Sequence, residues 1–437
     1  MARNRRAVPE PGLRAEGRGV NVPVQRLVAA VDLGSSKVTG LIGEVTGDAR
    51  SWGLRVLGIG IEETTAIRRG AIRDFDETVR AITRAMKTAE QVAGLEVGTV
   101  YCSVSGVHIA ERISHGVASI PGSEIRTVDL ARVNDVACAV SFGQDQELLH
   151  AIPHDYRVDG QSGFADPIGM SGERVEAEVY LVTVRSSAIA HERKAVEKAG
   201  WHVGEFVLEP LAASLAVLSA EERDGGVVLV ELGAGSTSVA IFQGGKLRHT
   251  AALRFAGGHV TSDLVHGLKL TQAEAERIKV AYGSAYEALV PEVEVIELPA
   301  SGGQSARHAP RKLVAHIMGM RLQEVLELAY DEVTRSGWQM AGLPAGVVLS
   351  GGGAATPGIV ELTRDVFAAP VRVGVPADGL RGLVDRVAAP GLAVPVGLAL
   401  WGARQVATGS GFGAAGKSSP AVERVLGPVK RWLQDFF

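Results

Sequence analysis

The chain has 437 residues, 46% of them apolar, so it can bury a large core divided between two or more domains. Its formal net charge is −4, so no overall positive field draws it to nucleic acid, and we expect no nucleic-acid partner. The two cysteines, Cys102 and Cys138, lack CxxC spacing. This pattern favours a reducing cytosol and predicts two buried core cysteines rather than zinc ligands.

Residues 1–26 contain six arginines among proline and glycine, without the apolar stretch of an export signal. This composition predicts a disordered arm. No window of the sequence reaches the roughly 18 continuous apolar residues of a membrane-spanning helix. We therefore expect the protein to stay in the cytoplasm.

Two stretches share one plan. Residues 28–45 predict an apolar strand ending near Asp32, a Gly/Ser turn and a second strand. Residues 227–245, "VVLVELGAGSTSVAIFQGG", repeat the plan with Glu231 in the place of Asp32. A repeated unit of this kind predicts two similar lobes.

Small residues in a hairpin turn can present N–H groups and hydroxyls to a phosphate. A dinucleotide-binding fold is excluded, because its glycine turn opens a helix whereas a strand follows each turn here. An ordinary hairpin without a ligand remains the alternative for either turn alone, and the repetition favours a phosphate site.

Two further segments follow the second turn. The stretch "TQAEAERIKVAYGS" predicts a helix with Glu276 and Lys279 on one face, which by themselves are typical of a solvated ion pair. Residues 346–376 predict a strand, three successive glycines, a helix and another strand. Those glycines, Gly351 to Gly353, allow the backbone to approach another group closely.

The last segment predicts a linker and an amphipathic helix. Residues 411–418, "GFGAAGKS", fit the Walker pattern by letter, but no buried strand precedes them and Pro420 follows, so they predict a flexible linker. One face of residues 421–437 is apolar, and Lys430 and Arg431 flank it, which suits a membrane headgroup boundary. The predicted membrane-binding residues are Val425, Leu426, Val429, Trp432, Leu433 and Phe436. Docking on the protein's own core is the alternative.

Long motifs resemble the FtsA family of actin-like bacterial cell-division proteins, within the actin, Hsp70 and hexokinase ATPase superfamily. The resemblance rests on "SGVHI", "LLHAIPHDYRVDGQSGFADPIGMSGERVEAEVYLVTV", "GGKLRHTAALRFAGGHVTSDL" and "EAERIKVAYG". It runs from about residue 28 to 402 and resumes in the terminal helix. His150 and His154 are interpreted as strand-end histidines rather than as metal ligands or members of a catalytic triad, because the sequence shows no third ligand to accompany them.

The resemblance implies an α/β fold: an actin-like two-lobed ATPase with duplicated phosphate-binding hairpins, an inserted α+β subdomain in the first lobe, and a C-terminal amphipathic helix. The implied segments are a disordered arm (1–26), the first lobe 1A (27–90 and 185–224), the insert 1C (91–184), the second lobe 2A (225–270 and 342–405), subdomain 2B (271–341), a linker (406–420) and the membrane-targeting helix (421–437).

The resemblance also implies a site for ATP and Mg²⁺. The first turn would contribute Gly34, Ser35, Ser36 and Lys37, and the second Gly233, Gly235, Ser236 and Thr237. The nucleoside side would be lined by Gly257, Gly258, Glu276, Lys279, Gly351, Gly352 and Gly353. Asp32 and Glu231 would hold Mg²⁺ through water and position the attacking water. Because the superfamily usually has aspartate in the place of Glu231, we expect weak ATPase activity at most.

The implied function is a cell-division protein, peripheral on the cytoplasmic face of the inner membrane at the division site. Its implied partners are its own copies in a homopolymer, membrane lipids, later division proteins, and the C-terminal tail of the ring protein FtsZ, received at Arg321 and Glu324. A small-metabolite kinase of the same superfamily is the alternative, although it has no use for an amphipathic tail. A chaperone fits less well, because the 35 residues after Gly402 are too few for a substrate-binding domain.

Overall fold

A computed structural model describes residues 26–48, 51–299 and 306–409. Residues 1–25 of the predicted arm, residues 410–420 of the predicted linker and the terminal helix at 421–437 therefore lie outside the described residues. Within the described ranges, no helix is both long enough and apolar enough to cross a bilayer.

The described chain contains both strands and helices. The strands are β1 (Leu27–Leu33), β2 (Lys37–Gly47), β3 (Trp52–Glu63), β4 (Ile67–Arg68), β5 (Ala71–Ile72), β6 (Thr99–Val104), β7 (Ile109–Ser119), β8 (Gln146–Val158), β9 (Gln161–Phe164), β10 (Arg174–Arg185), β11 (His202–Leu208), β12 (Val227–Leu232), β13 (Thr237–Gln243), β14 (Lys246–Leu253), β15 (Val295–Leu298), β16 (Arg307–Pro310), β17 (Val347–Ser350), β18 (Val371–Val373) and β19 (Leu380–Gly382). The α-helices are α1 (Phe75–Ala93), α2 (Thr127–Cys138), α3 (Ser186–Ala199), α4 (Glu209–Val217), α5 (Ala220–Gly225), α6 (Gly257–Leu268), α7 (Gln272–Tyr282), α8 (Arg311–Arg335), α9 (Ile359–Phe367), α10 (Val384–Val387) and α11 (Ala393–Thr408).

Each lobe is built on one mixed sheet. The first has the strand order β11-β6-β1-β2-β3-β19 and the second β14-β13-β12-β17-β18. In both, three successive antiparallel strands form a meander whose first strand also pairs in parallel with a later one, β6 or β17. The duplication predicted from the two similar stretches is therefore present in the sheet topology.

The inserted subdomain is a four-stranded sheet, β7-β10-β8-β9, covered by α2. Gly116 lets that helix approach, because a Cβ there would lie 2.1 Å from the Val133 carbonyl oxygen. The predicted start of the insert at residue 91 differs from the structure. Helix α1 extends to Ala93 and β6 belongs to the first-lobe sheet, so the insert begins after Val104.

The end of the predicted second lobe also differs from the structure. Residues 342–405 were assigned to that lobe, but β19 pairs with β3, and α11 packs on β1, β2 and β6 of the first-lobe sheet. Helix α11 is apolar almost all round and largely buried, as a helix enclosed by other elements must be. Sequence order alone does not reveal this return to the first lobe.

The two histidines of the insert lie in the middle of β8, so their interpretation as strand-end residues is wrong. His150 Nε2 accepts the Leu208 N–H at 2.9 Å, and His154 Nε2 lies 2.7 Å from the Leu247 carbonyl oxygen. Burial lowers the pKa of each to about 4, so both are neutral at pH 7. The two histidines join the insert to β11 and to the edge strand β14. The described part of the chain contains no group of side chains that could bind a metal ion.

Both cysteines are buried and free, as their sequence context predicts. Burial raises the pKa of the Cys138 thiol to about 12 and that of Cys102 still further. The thiols are therefore uncharged and unreactive at neutral pH.

Candidate functional site

The two predicted turns have the same geometry. A Cβ on Gly34 would lie 2.7 Å from the Lys37 carbonyl oxygen, and a Cβ on Gly233 would lie 2.6 Å from that of Ser236. Each turn folds back onto the residue three positions later, so each requires glycine at its start. The repetition seen in the sequence therefore extends to the backbone of the turns.

The turns meet at the boundary between the lobes. A Cβ on Gly235 would lie 2.3 Å from Ser35 Oγ and 2.9 Å from the backbone nitrogen of Arg69. At the same boundary Arg69 Nη2 lies 3.2 Å from His259 Nε2 of α6. The two sets of small residues predicted to bind phosphate are thus brought together, although they are 199 residues apart in the chain.

The second turn rests on the start of α6. The Gly257 N–H donates to the Gly233 carbonyl at 3.0 Å, and the Gly258 N–H donates to the Ala234 carbonyl at 2.8 Å. The prediction placed Gly257 and Gly258 on the nucleoside side. Their N–H groups are engaged in supporting the second turn, and their place on the nucleoside side stays a prediction.

Thr237 also has a structural role. It is fully buried, and its hydroxyl donates to the Phe255 carbonyl at 2.8 Å. The hydroxyl hydrogen is therefore engaged within the fold, and the phosphate contact expected of Thr237 stays a prediction. Ser236 lies beside it in the turn and is nearly buried.

Glu276 and Lys279 form one network with α6. Lys279 Nζ lies 2.7 Å from Glu276 Oε2 and 2.9 Å from Thr261 Oγ1, and that hydroxyl donates to Glu276 at 2.6 Å. Lys279 also reaches the Gly257 carbonyl at 3.4 Å. The pair is therefore tied to the helix that supports the second turn and is more than a solvated surface contact.

The third glycine loop, Gly351 to Gly353, packs against Leu232, at the end of the strand before the second turn. A Cβ on Gly351, whose φ is +79°, would lie 2.7 Å from the Leu232 carbonyl oxygen, and a Cβ on Gly353 would lie 2.7 Å from Leu232 Cβ. Gly352 has open space around it. A Cβ on Gly391 would lie 3.3 Å from Gly352 Cα and 3.4 Å from Lys37 Nζ. The ammonium group of the first turn therefore points toward the third loop.

A buried carboxylate precedes each turn in the chain, Asp32 before the first turn and Glu231 before the second. Asp32 Oδ1 accepts the Ser103 hydroxyl at 2.7 Å, whereas Glu231 Oε2 is buried without a hydrogen-bond partner among the described residues. Burial raises the pKa of Asp32, and the Ser103 hydrogen bond and the Lys37 charge oppose it. Burial and the charges of Glu209 and Asp32 raise the pKa of Glu231 well above its ordinary value.

The sequence interpretation missed Glu209. This residue begins α4 directly after β11, and its Oε2 lies 3.4 Å from Ser238 Oγ. Burial and the charge of Asp32 raise its pKa to about 8, although the hydroxyls of Ser105 and Ser238 lower it. A glutamate followed by proline at a junction between a buried strand and a helix was the available signal.

These carboxylates fit a hard cation held through water. No group of three acidic, histidine or cysteine side chains in the described ranges is arranged to bind a metal directly. Burial nevertheless raises the pKa of all three carboxylates, the charge of Asp32 raises that of Glu209 and of Glu231 further, and one Glu231 oxygen has no hydrogen-bond partner among the described residues. A hydrated divalent cation would relieve both the repulsion and the missing hydrogen bond.

Arg321 and Glu324, the residues expected to receive the FtsZ tail, lie on α8 and form an ion pair with each other. Arg321 also binds Asp263 of α6, with Nε to Oδ2 at 2.5 Å and Nη2 to Oδ1 at 3.1 Å. Its guanidinium lies 5.8 Å from the centre of the Phe255 ring. The arginine thus joins two helices besides facing solvent.

Two segments of the chain match known protein families. The family described as "Cell division protein FtsA" matches residues 228–397, and "SHS2 domain inserted in FTSA" matches residues 106–183. The cell division protein FtsA of Pseudomonas aeruginosa is 37% identical over 415 residues, which cover 94% of this chain and 98% of that protein. The chain belongs to the FtsA family.

Other FtsA proteins are also similar to this chain over most of its length. That of Escherichia coli (strain K12) is 31% identical and covers 94% of this chain and 96% of its own length. The FtsA proteins are cell division proteins, so the cell-division function implied by the sequence motifs is confirmed. The SHS2 match also agrees with an insert that begins after Val104.

Solved structures share the fold of this FtsA chain at low identity. The "PilM-PilN type IV pilus biogenesis complex" gives a TM-score of 0.63 at 17% identity, covering 86% of this chain and 98% of that one. MreB5 of Spiroplasma citri bound to ADP gives 0.52 at 12% identity, covering 86% and 96%. The predicted actin-like two-lobed α/β fold with an insert is confirmed.

Proposed function

We propose that this cell division protein binds ATP with Mg²⁺ between its two lobes and uses the nucleotide to hold them closed. The observation that carries the proposal is the meeting of two glycine turns at Ser35 and Gly235, beside the loop of Gly351. Support also comes from the similar fold of MreB5 of Spiroplasma citri, which was solved bound to ADP and to AMPPNP.

Each group at the boundary has a defined task in this proposal. Backbone N–H groups and the Ser35 hydroxyl bind phosphate oxygens, and Lys37, whose pKa burial lowers, neutralises phosphate charge. Mg²⁺, when bound, neutralises charge on the phosphates and keeps the carboxylates ionised. Asp32 and Glu231 would hold the ion by accepting hydrogen bonds from its water ligands.

We further propose that Glu209 accepts the proton of an attacking water. Without metal its pKa of about 8 leaves most of this carboxyl protonated at pH 7. Bound Mg²⁺ would lower that pKa, and the ionised carboxylate would then serve as the general base. Hydrolysis stays slow, because Glu231 extends further into the site than aspartate would. The nucleotide then acts mainly as a closing ligand.

Substitution of Gly235 tests the nucleotide site. Gly235→Ala places a methyl group against Ser35 and the backbone of Arg69, so it should hold the turns apart and weaken the affinity for a fluorescent ATP analogue at least tenfold. Gly98→Ala is the matched control, since its Cβ meets open space. Equal affinity in both variants would remove the turns from the nucleotide site.

We also propose that the protein tethers FtsZ to the inner membrane from its cytoplasmic side. The FtsZ tail would bind around Arg321 and Glu324, the terminal helix at 421–437 would bind lipid, and copies of the chain would assemble end to end and recruit later division proteins. The alternative of a small-metabolite kinase is not favoured, because the full-length relatives are cell division proteins.

A further inference from the structure

The hairpin of β4 and β5 has an arginine at an unfavourable position. Arg68 pairs with Ala71, so Arg69 and Gly70 alone form its two-residue turn. Both have positive φ, +55° and +72°, as a type I′ turn requires. The first position of such a turn favours asparagine, aspartate or glycine, because a longer side chain is strained there. Strained backbone of this kind concentrates at functional sites, so the side chain of Arg69 is a candidate for a function.

The turn is fixed against the first lobe. A Cβ on Gly70 would lie 2.1 Å from the Ser105 carbonyl oxygen, and a Cβ on Gly106 would lie 2.6 Å from that of Arg69. In addition, a Cβ on Gly235 would lie 2.9 Å from the Arg69 backbone nitrogen. Arg69 is therefore held beside the second glycine turn, at the boundary where the two turns meet.

Arg69 is exposed and forms no ion pair with any described residue. Its guanidinium instead reaches across the boundary, where Nη2 lies 3.2 Å from His259 Nε2 of α6. The acidic group that acts on His259 is Asp263, and both of its carboxylate oxygens already accept hydrogen bonds from Arg321. The contact between Arg69 and His259 therefore contains no carboxylate.

This contact brings two hydrogen-bond donors together. The Ala256 N–H donates to His259 Nδ1 at 3.2 Å, so Nδ1 carries no proton. Burial and the charges of Arg69 and Arg321 lower the pKa of His259, so the ring is neutral at pH 7 and its one proton lies on Nε2. A guanidinium can only donate. Two N–H groups, one from each lobe, thus face each other and neither offers the other an acceptor.

We propose that Arg69 and His259 bind the terminal phosphate of ATP and so make closure of the lobes specific for the triphosphate, an inference that rests on the proposed nucleotide site. A phosphate oxygen supplies the acceptor that both N–H groups lack, and its negative charge strengthens the hydrogen bond from the arginine. Because the arginine belongs to the first lobe and the histidine to the second, a phosphate bound by both holds the lobes together. ADP has no such group and leaves the two donors facing each other.

Calorimetric titration of the intact protein, in the presence of Mg²⁺, with ADP or with the non-hydrolysable triphosphate AMPPNP tests the proposal. AMPPNP should bind the unmodified chain at least tenfold more tightly than ADP, because only the triphosphate satisfies both donors.

Arg69→Asn separates recognition from folding. Asparagine suits a type I′ turn, so the melting temperature should be unchanged or higher. The preference for AMPPNP should nevertheless fall below threefold, while the affinity for ADP stays the same. His259→Phe keeps an aromatic ring beside Phe255 but removes the N–H, and it should lower the preference as well. Arg73→Gln, at an exposed arginine just after β5, is the matched control and should keep the preference.

The outcomes distinguish this role of Arg69 from the nucleotide site itself. A preference for AMPPNP that survives in Arg69→Asn, or an equal loss of affinity for both nucleotides, would overturn binding of the terminal phosphate by Arg69. Equal affinity of the unmodified chain for AMPPNP and ADP would do the same. If the unmodified chain binds neither nucleotide, the proposed function and the role of Arg69 are both overturned.

Discussion

At the scale of single residues, Glu231 stands where the superfamily usually has aspartate, and this difference leads to a test. Glu231→Asp should raise the rate of ATP hydrolysis while leaving ATP affinity nearly unchanged. The shorter side chain withdraws the carboxylate by roughly 1.5 Å, and a misplacement of about 1 Å can cost on the order of a hundredfold in rate. Phosphate-release kinetics and titration with a fluorescent ATP analogue measure the two quantities.

The unmodified protein provides the control for this prediction. Glu231 keeps its negative charge, so Mg²⁺-dependent ATP binding should survive in both forms. Turnover of the unmodified chain as fast as that of an ordinary kinase would show that Glu231 does not limit hydrolysis.

Glu209 should make stability depend on pH. Its pKa is about 8 in the folded protein and near 4.5 when unfolded, so folding takes up a proton between these values and stability falls as pH rises through them. Without nucleotide and Mg²⁺, we expect a loss of about 1 kcal/mol between pH 7 and 8.5. Glu209→Gln should reduce this loss.

Urea denaturation at several pH values measures the effect. Above pH 7 the buried His150 and His154, with pKa values of about 4, are largely neutral in both states and contribute little. The same pH dependence in the variant and the unmodified protein would assign the effect to other groups.

At the scale of elements, the third glycine loop offers a matched pair of substitutions. Gly351→Ala should destabilise the fold by about 2 kcal/mol, because its positive φ is unfavourable for alanine and its Cβ would strike the Leu232 backbone. Gly352→Ala should have almost no effect, since its Cβ meets open space. Urea denaturation without nucleotide compares them, and equal stabilities would contradict the predicted strain.

Substitutions at the contact between α6 and α8 test the proposed FtsZ-binding surface. Arg321→Glu should weaken binding of a labelled FtsZ tail peptide at least tenfold, measured by fluorescence anisotropy. Because Arg321 also pairs with Asp263, Asp263→Asn serves as the control: it breaks the ion pair but leaves the arginine charge. Loss of binding in both variants would indicate that the helix contact, rather than direct recognition by Arg321, matters.

At the scale of the whole molecule, removal of residues 421–437 should leave a folded protein that no longer binds bilayers. The six apolar side chains predicted to bind the membrane, each contributing part of its full burial energy of ~1.5–3 kcal/mol, would give reversible attachment. Trp432→Glu should weaken attachment strongly. Flotation with liposomes measures it, and a truncated chain that still floats would exclude the tail as the anchor.

The sequence by itself determined the features that depend on neighbouring residues. The hairpins around Gly34 and Gly233, the helix carrying Glu276 and Lys279, and the glycine loop at Gly351 all follow from local apolar periodicity and from backbone positions that admit no side chain. Such requirements act within a few residues, so they can be recognised in a single chain.

Tertiary structure alone decided which distant segments meet. It placed Glu209 beside Asp32 and Glu231, returned α11 to the first lobe, and engaged the N–H groups of Gly257 and Gly258 in support of a turn. Pairing at a sheet edge and the burial of a charge depend on partners far away in the chain, and local periodicity carries no record of those partners.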